Sequence, residues 1–182
     1  ISTVHAALDA GVTFFDTAEG YGGGHSERVL GESLKGRRNE AVIATKVSSG
    51  NLSPTKIAEA CEQSLRNLQA DVIDLYQIHW PNHKVPVEES WRSLEDLKSQ
   101  GKIRALGVCN FATQDMTDLL ACGQCETDQL PYNLLWRPIE HEIQPLCVEN
   151  SIGLICYSSL AQGLLTGRYA TPDDVPEGLA RS

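Results

Sequence analysis

Six short apolar segments alternate with amphipathic helical segments along the chain. The predicted strands are residues 12–15, 41–45, 73–78, 103–108, 127–130 and 154–157. Each is followed by a helix or a loop, and no long linker or change in composition divides the chain. Strands that alternate with helices are typical of a parallel sheet, because parallel strands need a crossover connection that is usually helical. We therefore predict a single α/β domain over residues 1–182.

Helix start and stop residues support this division. Ser53 is expected to cap a helix with Pro54 at its first position, since the fixed φ and missing N–H of proline suit that place. Gly101 is expected to end the next helix in left-handed backbone. Apolar residues at steps of three or four predict one buried face on each of these two helices: Ile57, Cys61, Leu65 and Leu68, then Val87, Trp91, Leu94 and Leu97.

Polar residues at the strand ends decide between two parallel-sheet folds. An open doubly wound sheet and a (β/α)₈ TIM barrel both fit the alternation. Five polar residues stand at or just past the carboxyl ends of different strands: Asp16, Lys46, His79, Asn110 and Tyr157. In a barrel these ends meet at one mouth, where the active sites of this fold lie. We predict the barrel, with about six of its eight units here, since a whole barrel takes about 250 residues; the first strand and the last unit are expected outside this sequence.

Charge and hydropathy narrow the classes of partner. The net charge is −9, so the surface should repel phosphate backbones, and we expect no nucleic acid partner. No segment approaches the roughly 20 apolar residues of a membrane helix, and no charged and then apolar leader opens the chain. We expect no membrane association, no secretory signal and a cytoplasmic location. The sequence does not predict an oligomeric state.

The cysteines point to a reducing compartment rather than to a disulfide framework. Their six positions show no regular spacing. Cys122 and Cys125 form a Cys-x-x-Cys pair, which is either a redox pair or half of a zinc site. A structural zinc needs two further ligands, and His141 and Cys147 are not convincingly spaced for that role. We favour a surface turn after a helix and predict no metal site.

Four strand-end and loop residues together predict a proton donor. A free tyrosine has a pKa near 10, too high for an efficient acid–base group at neutral pH. A lysine ammonium at about 4 Å favours a phenolate by roughly 4 kcal/mol at an effective dielectric of 20, so Lys46 is expected to lower the pKa of Tyr21. Asp16 would keep Lys46 charged, and His79 would orient a carbonyl oxygen toward the phenol. Each residue also has a purely structural interpretation, as a turn cap, a loop residue, a solvated strand end or a packed histidine.

Several motifs follow one another in a family-specific order. They are Phe14 to Gly22 (FFDTAEGYG) with Glu27, Ala44 to Lys46, Asp74 to His79 (DLYQIH), and Gly101 to Phe111 (GKIRALGVCNF). Over nearly its whole length the chain resembles the aldo-keto reductase superfamily. The glycine-rich loop between Tyr21 and Glu27 resembles the branch of bacterial and plant enzymes and potassium-channel β subunits.

The resemblance implies a (β/α)₈ barrel without a Rossmann domain, which reduces an aldehyde or ketone to an alcohol with NAD(P)H. Tyr21 is then the general acid, Lys46 and Asp16 tune it, and His79 orients the small carbonyl substrate. The expected cofactor is NADPH (NADP⁺). NADH is not excluded, because the segment that binds the 2′-phosphate in this family is expected beyond Ser182.

The resemblance also implies the cofactor contacts. Asn110 and Gln129 match the residues that hold the nicotinamide carboxamide, and Tyr157 matches the aromatic residue that stacks on the ring. Cys109 stands where the family usually has serine, which replaces a strong hydrogen-bond donor by a weak one. Further residues are assigned to a loop that wraps the pyrophosphate and to an apolar wall of the substrate pocket: Ser158, Leu160 and Gly163 for the loop, and Trp80 for the wall, with Trp136 as a second candidate.

Two other functions remain open on the sequence. A class I aldolase would use Lys46 to form a Schiff base, but that lysine must be neutral to attack, and a neighbouring Asp16 opposes this. A regulatory subunit of the same fold would hold the cofactor and sense redox state. Intact Tyr21 and His79 favour an enzyme.

Overall fold

The computed structural model describes residues 1–176, which form six helices and six strands in the predicted alternation. In chain order the elements are α1 (Ser2–Asp9), β1 (Phe14–Asp16), α2 (His25–Ser33), β2 (Val42–Val47), α3 (Pro54–Leu68), β3 (Ile73–Ile78), α4 (Val87–Ser99), β4 (Ile103–Cys109), α5 (Thr113–Leu120), β5 (Thr127–Pro131), α6 (Ile143–Glu149) and β6 (Gly153–Tyr157). Short 3₁₀ turns occupy Arg38–Glu40, Ser49–Asn51, Pro138–Glu140, Ala161–Thr166 and Pro172–Asp174. In the described part of the chain, no helix has the length and apolar character needed to cross a membrane.

The sheet is parallel throughout and its strands lie side by side in sequence order, from β1 to β6. A doubly wound sheet would reverse its strand order at a switch point. Sequential order with helical crossovers instead gives a curled part of a barrel. The predicted incomplete (β/α)₈ fold is confirmed.

The first strand begins later than predicted. The N–H of Val12 donates to the carbonyl of Ala7 at 2.9 Å, so Val12 belongs to the turn that closes α1. Gly11 makes that turn possible with a φ of +84°. Pairing with β2 therefore starts at Phe14, opposite Val42.

The helix predictions hold with two corrections. Every residue of the predicted face of α3 is buried, as are Trp91, Leu94 and Leu97 of α4, and Gly101 has the expected positive φ of +75°. Val87 is only partly buried, at the first position of α4. Ser53 precedes α3 as predicted, but its hydroxyl makes no capping bond.

Strand register places polar residues in rows across the inner face. Lys46 lies opposite Gln77, Gln77 opposite Gly107, and Gly107 opposite Thr127. Side chains alternate between the two faces of a strand, so one row shares one face. In the next row toward the carboxyl ends, Gln129 lies between Cys109 and Ile155.

An ion network closes the opposite end of the sheet. The Asp74 carboxylate, only 7% exposed, accepts hydrogen bonds from Arg38 at 2.6 Å, Arg104 at 2.5 Å and the N–H of Ile43 at 2.9 Å. These contacts join β2, β3 and β4 where the strands begin. The motif residue Asp74 is therefore structural.

The two cysteines of the Cys-x-x-Cys pair differ in solvent exposure. Both cysteines are free; Cys122 is partly exposed in the turn after α5, whereas Cys125 is buried beside Met116. The prediction of a surface turn is right for Cys122 and wrong for Cys125. Burial raises the pKa of the Cys125 thiol to about 12, so it is not a reactive thiolate. Within residues 1–176, no group of three or more His, Cys, Asp or Glu residues is arranged to hold a metal ion.

Candidate active site

The four predicted catalytic residues come together at the carboxyl ends of the strands. Asp16 is the last residue of β1, Lys46 lies one residue before the end of β2, and His79 directly follows β3. Tyr21 lies in the loop after β1, where its N–H donates to the carbonyl of Ala18 at 3.1 Å. Three successive glycines at positions 22–24, all with positive φ, turn the loop into α2.

Lys46 is sealed inside the sheet, with 1% of its surface exposed. Its Nζ donates to Asp16 Oδ2 at 2.6 Å and to the carbonyl of Thr17 at 2.8 Å. A buried ammonium is stable only when it is paired and hydrogen-bonded, and both conditions are met. This pairing disfavours the aldolase interpretation, because a Schiff-base lysine must be neutral and accessible.

Tyr21 lies above this ion pair and beside His79. The Lys46 Nζ is 5.5 Å from the centroid of the Tyr21 ring, and the Tyr21 and His79 rings meet edge to face at 5.6 Å. Tyr21 is 44% exposed, and a cavity of about 540 Å³ opens beside Asp16 and Tyr21. The phenol can therefore meet both the buried charge and a ligand from solution.

The pKa of Tyr21 is raised, which is opposite to the prediction. Burial has the largest effect, and the negative charge of Asp16 adds to it. Asp16 lies 2.6 Å from the Lys46 ammonium and offsets its field at the ring. At neutral pH Tyr21 therefore keeps its proton, the form that a general acid requires.

His79 is neutral at the same pH. Partial burial and the positive charge of Lys46 both lower its pKa. Its ring nitrogens form no hydrogen bond with any described residue, and its backbone carbonyl accepts one from Asn110 Nδ2 at 3.0 Å. A neutral imidazole with a free N–H is suited to donate to a carbonyl oxygen.

Three of the predicted nicotinamide contacts form a connected group next to His79. Asn110, in left-handed backbone at φ +63°, donates its N–H to the carbonyl of Gln129 at 3.0 Å. Its side-chain Oδ1 accepts from the Tyr157 hydroxyl at 2.7 Å. Its Nδ2 is already bound to His79 O and to Cys109 Sγ. Asn110 therefore has one lone pair of Oδ1 left for a carboxamide.

Cys109 and Gln129 complete this group. Cys109 is 3% exposed, and burial raises the pKa of its thiol to about 12, so it stays protonated. Gln129 is 6% exposed, and its Oε1 is buried without a hydrogen-bond partner within residues 1–176. Gln129 therefore carries an amide that is available to pair with a carboxamide-bearing ring such as nicotinamide.

The loop after β6, which the resemblance assigns to the pyrophosphate, has several residues in left-handed backbone. Ser158, Ala161, Gln162 and Gly163 all have positive φ. At Gly163 φ is +103°, which L side chains rarely adopt, whereas a Cβ there would meet only Tyr169 at an ordinary 3.6 Å. The glycine is therefore required by conformation rather than by space. The carbonyl oxygen of Leu160 accepts a hydrogen bond from the N–H of Gly163 at 3.0 Å, and the Leu160 side chain is exposed.

The two tryptophans lie in the loops after different strands, Trp80 after β3 and Trp136 after β5. Trp80 directly follows His79 and is 52% exposed. Trp136 lies farther along, where it lines a cavity of about 320 Å³ with Pro131 and Ser158. A more enclosed cavity of about 230 Å³ lies under the loop after β3, and none of the four catalytic candidates lines it.

Sequence reasoning missed two contributors to the site. Gln77 is fully buried in the row of Lys46, and period-two alternation from His79 would have identified it. Thr17 holds Lys46 through its backbone carbonyl, for which a sequence carries no signal. Glu27 has a different role from the other motif residues: it is buried on the outer side of β2, where it binds Thr45 and Asn67.

Comparison with known proteins is consistent with this geometry. The model of the Aldo/keto reductase family matches residues 1–182. The aldo-keto reductase YhdN of Bacillus subtilis (strain 168) is 42% identical over 92% of this chain, and the NADH-specific methylglyoxal reductase of Escherichia coli (strain K12) is 38% identical over 98%. The chain spans 54% and 61% of the lengths of these relatives.

Solved structures show the same arrangement of elements. An aldo/keto reductase from Klebsiella pneumoniae in complex with NADP and acetate has a TM-score of 0.88 and 37% identity, over 94% of this chain and 62% of that one. The glycerol dehydrogenase from Gluconobacter oxydans has a TM-score of 0.89 and 39% identity, over 96% and 57%.

Proposed function

The chain belongs to the aldo/keto reductase family, and on that premise we propose that this protein reduces an aldehyde or ketone to an alcohol with NADPH, as an NADP-dependent alcohol dehydrogenase of the aldehyde reductase type. The observation that carries the proposal is the buried Lys46–Asp16 ion pair beneath Tyr21, with Tyr21 in edge contact with His79. An acid–base tyrosine, a fixed charge and a neutral hydrogen-bond donor thus surround one point at the mouth.

Tyr21 is the proposed general acid. Its raised pKa keeps the phenol protonated, and the O–H donates its proton to the alkoxide that develops on the carbonyl oxygen. His79 donates a hydrogen bond to the same oxygen and orients the carbonyl. When bound, the nicotinamide supplies the hydride to the carbonyl carbon.

The cofactor site is proposed to comprise residues of three strand ends and one loop. The carboxamide is assigned to Asn110 and Gln129, with Cys109 behind Asn110, and the ring to Tyr157. Ser158, Leu160 and Gly163 are assigned to the pyrophosphate. NADPH is favoured because solved relatives hold NADP or NADPH, and NADH remains possible because the Escherichia coli relative is NADH-specific.

The substrate is proposed to be a small carbonyl compound. Two Escherichia coli relatives are named as methylglyoxal reductases, and Trp80 beside His79 provides an apolar wall. Residues 1–182 are proposed to belong to one barrel domain. A cytoplasmic location is proposed because none of the six cysteines forms a disulfide.

Steady oxidation of NADPH at 340 nm with methylglyoxal or 4-nitrobenzaldehyde tests the proposal. Tyr21→Phe should lower kcat by at least about 100-fold, as expected for loss of a general acid. Tyr76→Phe is the matched control, because this hydroxyl is buried on the outer face of β3. Normal turnover in Tyr21→Phe would refute the assignment. A redox-sensing subunit would instead bind NADPH without turnover.

A further inference from the structure

Four buried polar side-chain atoms lie on the inner face of the sheet, and three of them belong to residues that the proposed reaction leaves unused. They have no hydrogen-bond partner within residues 1–176: Gln77 Nε2, Gln77 Oε1, Thr127 Oγ1 and Gln129 Oε1. Native proteins leave few such atoms unpaired, so a set of them on one face calls for an explanation.

Strand register brings these atoms to one place on the inner face. Gln77 and Thr127 occupy the same row, with Gly107 between them. A Cβ on Gly107 would lie 2.3 Å from Thr127 Oγ1 and 3.1 Å from Gln77 Cγ. The side chains of Gln77 and Thr127 therefore pack directly on the backbone of Gly107. The side chain of any other residue at this position would clash with them. Gln129, two residues after Thr127, points to the same face.

The donors and acceptors of this set can be bridged by a water molecule. Gln77 offers an NH₂ group and a carbonyl oxygen, Thr127 a hydroxyl, and Gln129 a carbonyl oxygen. A buried water usually makes about three hydrogen bonds to such groups. One water can accept from Gln77 or Thr127 and donate to Gln129 Oε1.

We propose that Gln77 is a positioning residue for cofactor binding: together with Thr127 it holds a water, and this water fixes the Gln129 amide. With Oε1 bound to the water, the Nε2 donor of Gln129 is directed to the carboxamide. This inference rests on the proposed function, in which Gln129 binds the nicotinamide carboxamide. Gln77 itself does not touch the cofactor.

The dissociation constant of NADPH, measured by quenching of tryptophan fluorescence without substrate, tests the proposal. Gln77→Met and Thr127→Val should each raise the Kd by about tenfold, the effect of one lost hydrogen bond. The double variant should also show about a tenfold rise rather than the hundredfold expected for independent sites, since both changes remove the same water.

Two further variants separate positioning from a structural effect. Thr127→Ser keeps the hydroxyl and should restore the wild-type Kd. Tyr76→Phe removes another buried hydroxyl, next to Gln77 but on the outer face, and should leave the Kd unchanged. If Gln77→Met does not fold, the comparison of Thr127→Val with Thr127→Ser still decides.

An unchanged Kd in Gln77→Met or in Thr127→Val, or additive effects in the double variant, would overturn the proposal. Failure of Thr127→Ser to restore binding would do so as well. These results differ from failure of the proposed function, in which the wild-type protein itself neither binds NADPH nor turns over an aldehyde.

Discussion

Asp128 should make the protein less stable as the pH rises. Its replacement by a residue that does not ionise should abolish this pH dependence. The side chain projects from β5 on the outer face and has no exposed surface. Within residues 1–176, neither carboxylate oxygen has a partner that meets both the distance and the angle of a hydrogen bond. The N–H groups of Phe111 and Gln129 face it and favour the charged form, but burial outweighs them and raises the pKa of Asp128 to about 8. The nearby carboxylate of Asp115 acts in the same direction.

The sign follows from proton linkage. Between the ordinary pKa of 3.8 and about 8, the folded protein keeps the Asp128 proton that the unfolded chain has released. The contribution of Asp128 to stability is therefore largest below pH 3.8 and falls as the pH rises through this interval. At about 1.4 kcal/mol for each pH unit, the loss has a ceiling of about 6 kcal/mol. Between pH 5 and pH 8.5 it is about 4 kcal/mol.

Urea unfolding of the wild-type protein and of Asp128→Asn at these two pH values measures the effect. Asparagine has nearly the same shape and does not ionise, so the variant should gain about 4 kcal/mol relative to the wild type between pH 5 and pH 8.5. Asp118→Asn, on the exposed side of α5, is the control and should shift the difference by less than about 0.5 kcal/mol. If the gap between wild type and Asp128→Asn does not widen with pH, Asp128 is not a buried neutral acid and the reasoning fails.

Three further outcomes are expected. The kcat of aldehyde reduction should stay level from neutral pH up to pH 10 and fall only above it, because the pKa of Tyr21 is raised and the acid must be protonated; an alkaline limb near pH 8 in a pH–rate profile would contradict this. Lys46→Met should lower kcat by about 100-fold, because a charge 5.5 Å from the centre of the Tyr21 ring stabilises a phenolate by at most roughly 3 kcal/mol at an effective dielectric of 20. A decrease of less than threefold in steady-state assays would exclude an electrostatic role for Lys46. Asp74→Asn should lower the free energy of unfolding by about 2 to 3 kcal/mol in urea, because Arg38 and Arg104 lose their shared partner, whereas Asp118→Asn should have little effect.

The barrel topology and the assembly of the four catalytic candidates could be predicted from sequence, because both depend on order along the chain. Polar residues at successive strand ends must meet if the strands are parallel and sequential. The start of β1 could not be predicted, since a backbone bond from Val12 to Ala7 extends the turn after α1. The burial of Cys125 was missed for a related reason: its environment is set by α5, which packs over the turn.

The hydrogen-bond partners of the site residues could not be predicted, because these bonds depend on distances between strands. The match to a family motif assigns Asn110 to a cofactor, but its amide is largely occupied by His79, Cys109 and Tyr157. Gln77 was overlooked because its strand is buried on both faces, so that polar and apolar positions do not alternate clearly. Period-two alternation from His79 places Gln77 on the inner face, and the strand register then adds its neighbours Gly107 and Thr127.

The raised pKa of Tyr21 and the charge of Lys46 are compatible when the two states of the phenol are considered separately. In the resting state Asp16 offsets Lys46, burial dominates, and the proton stays on Tyr21. When the proton leaves for the developing alkoxide, the phenolate that remains faces an ammonium that is already in place and already desolvated. Lys46 then stabilises a charge that exists only late in the proposed reaction, which is the condition under which a fixed charge accelerates a step rather than merely binding the substrate. A lysine that lowered the resting pKa of Tyr21 to neutrality would instead leave half of the enzyme without its proton.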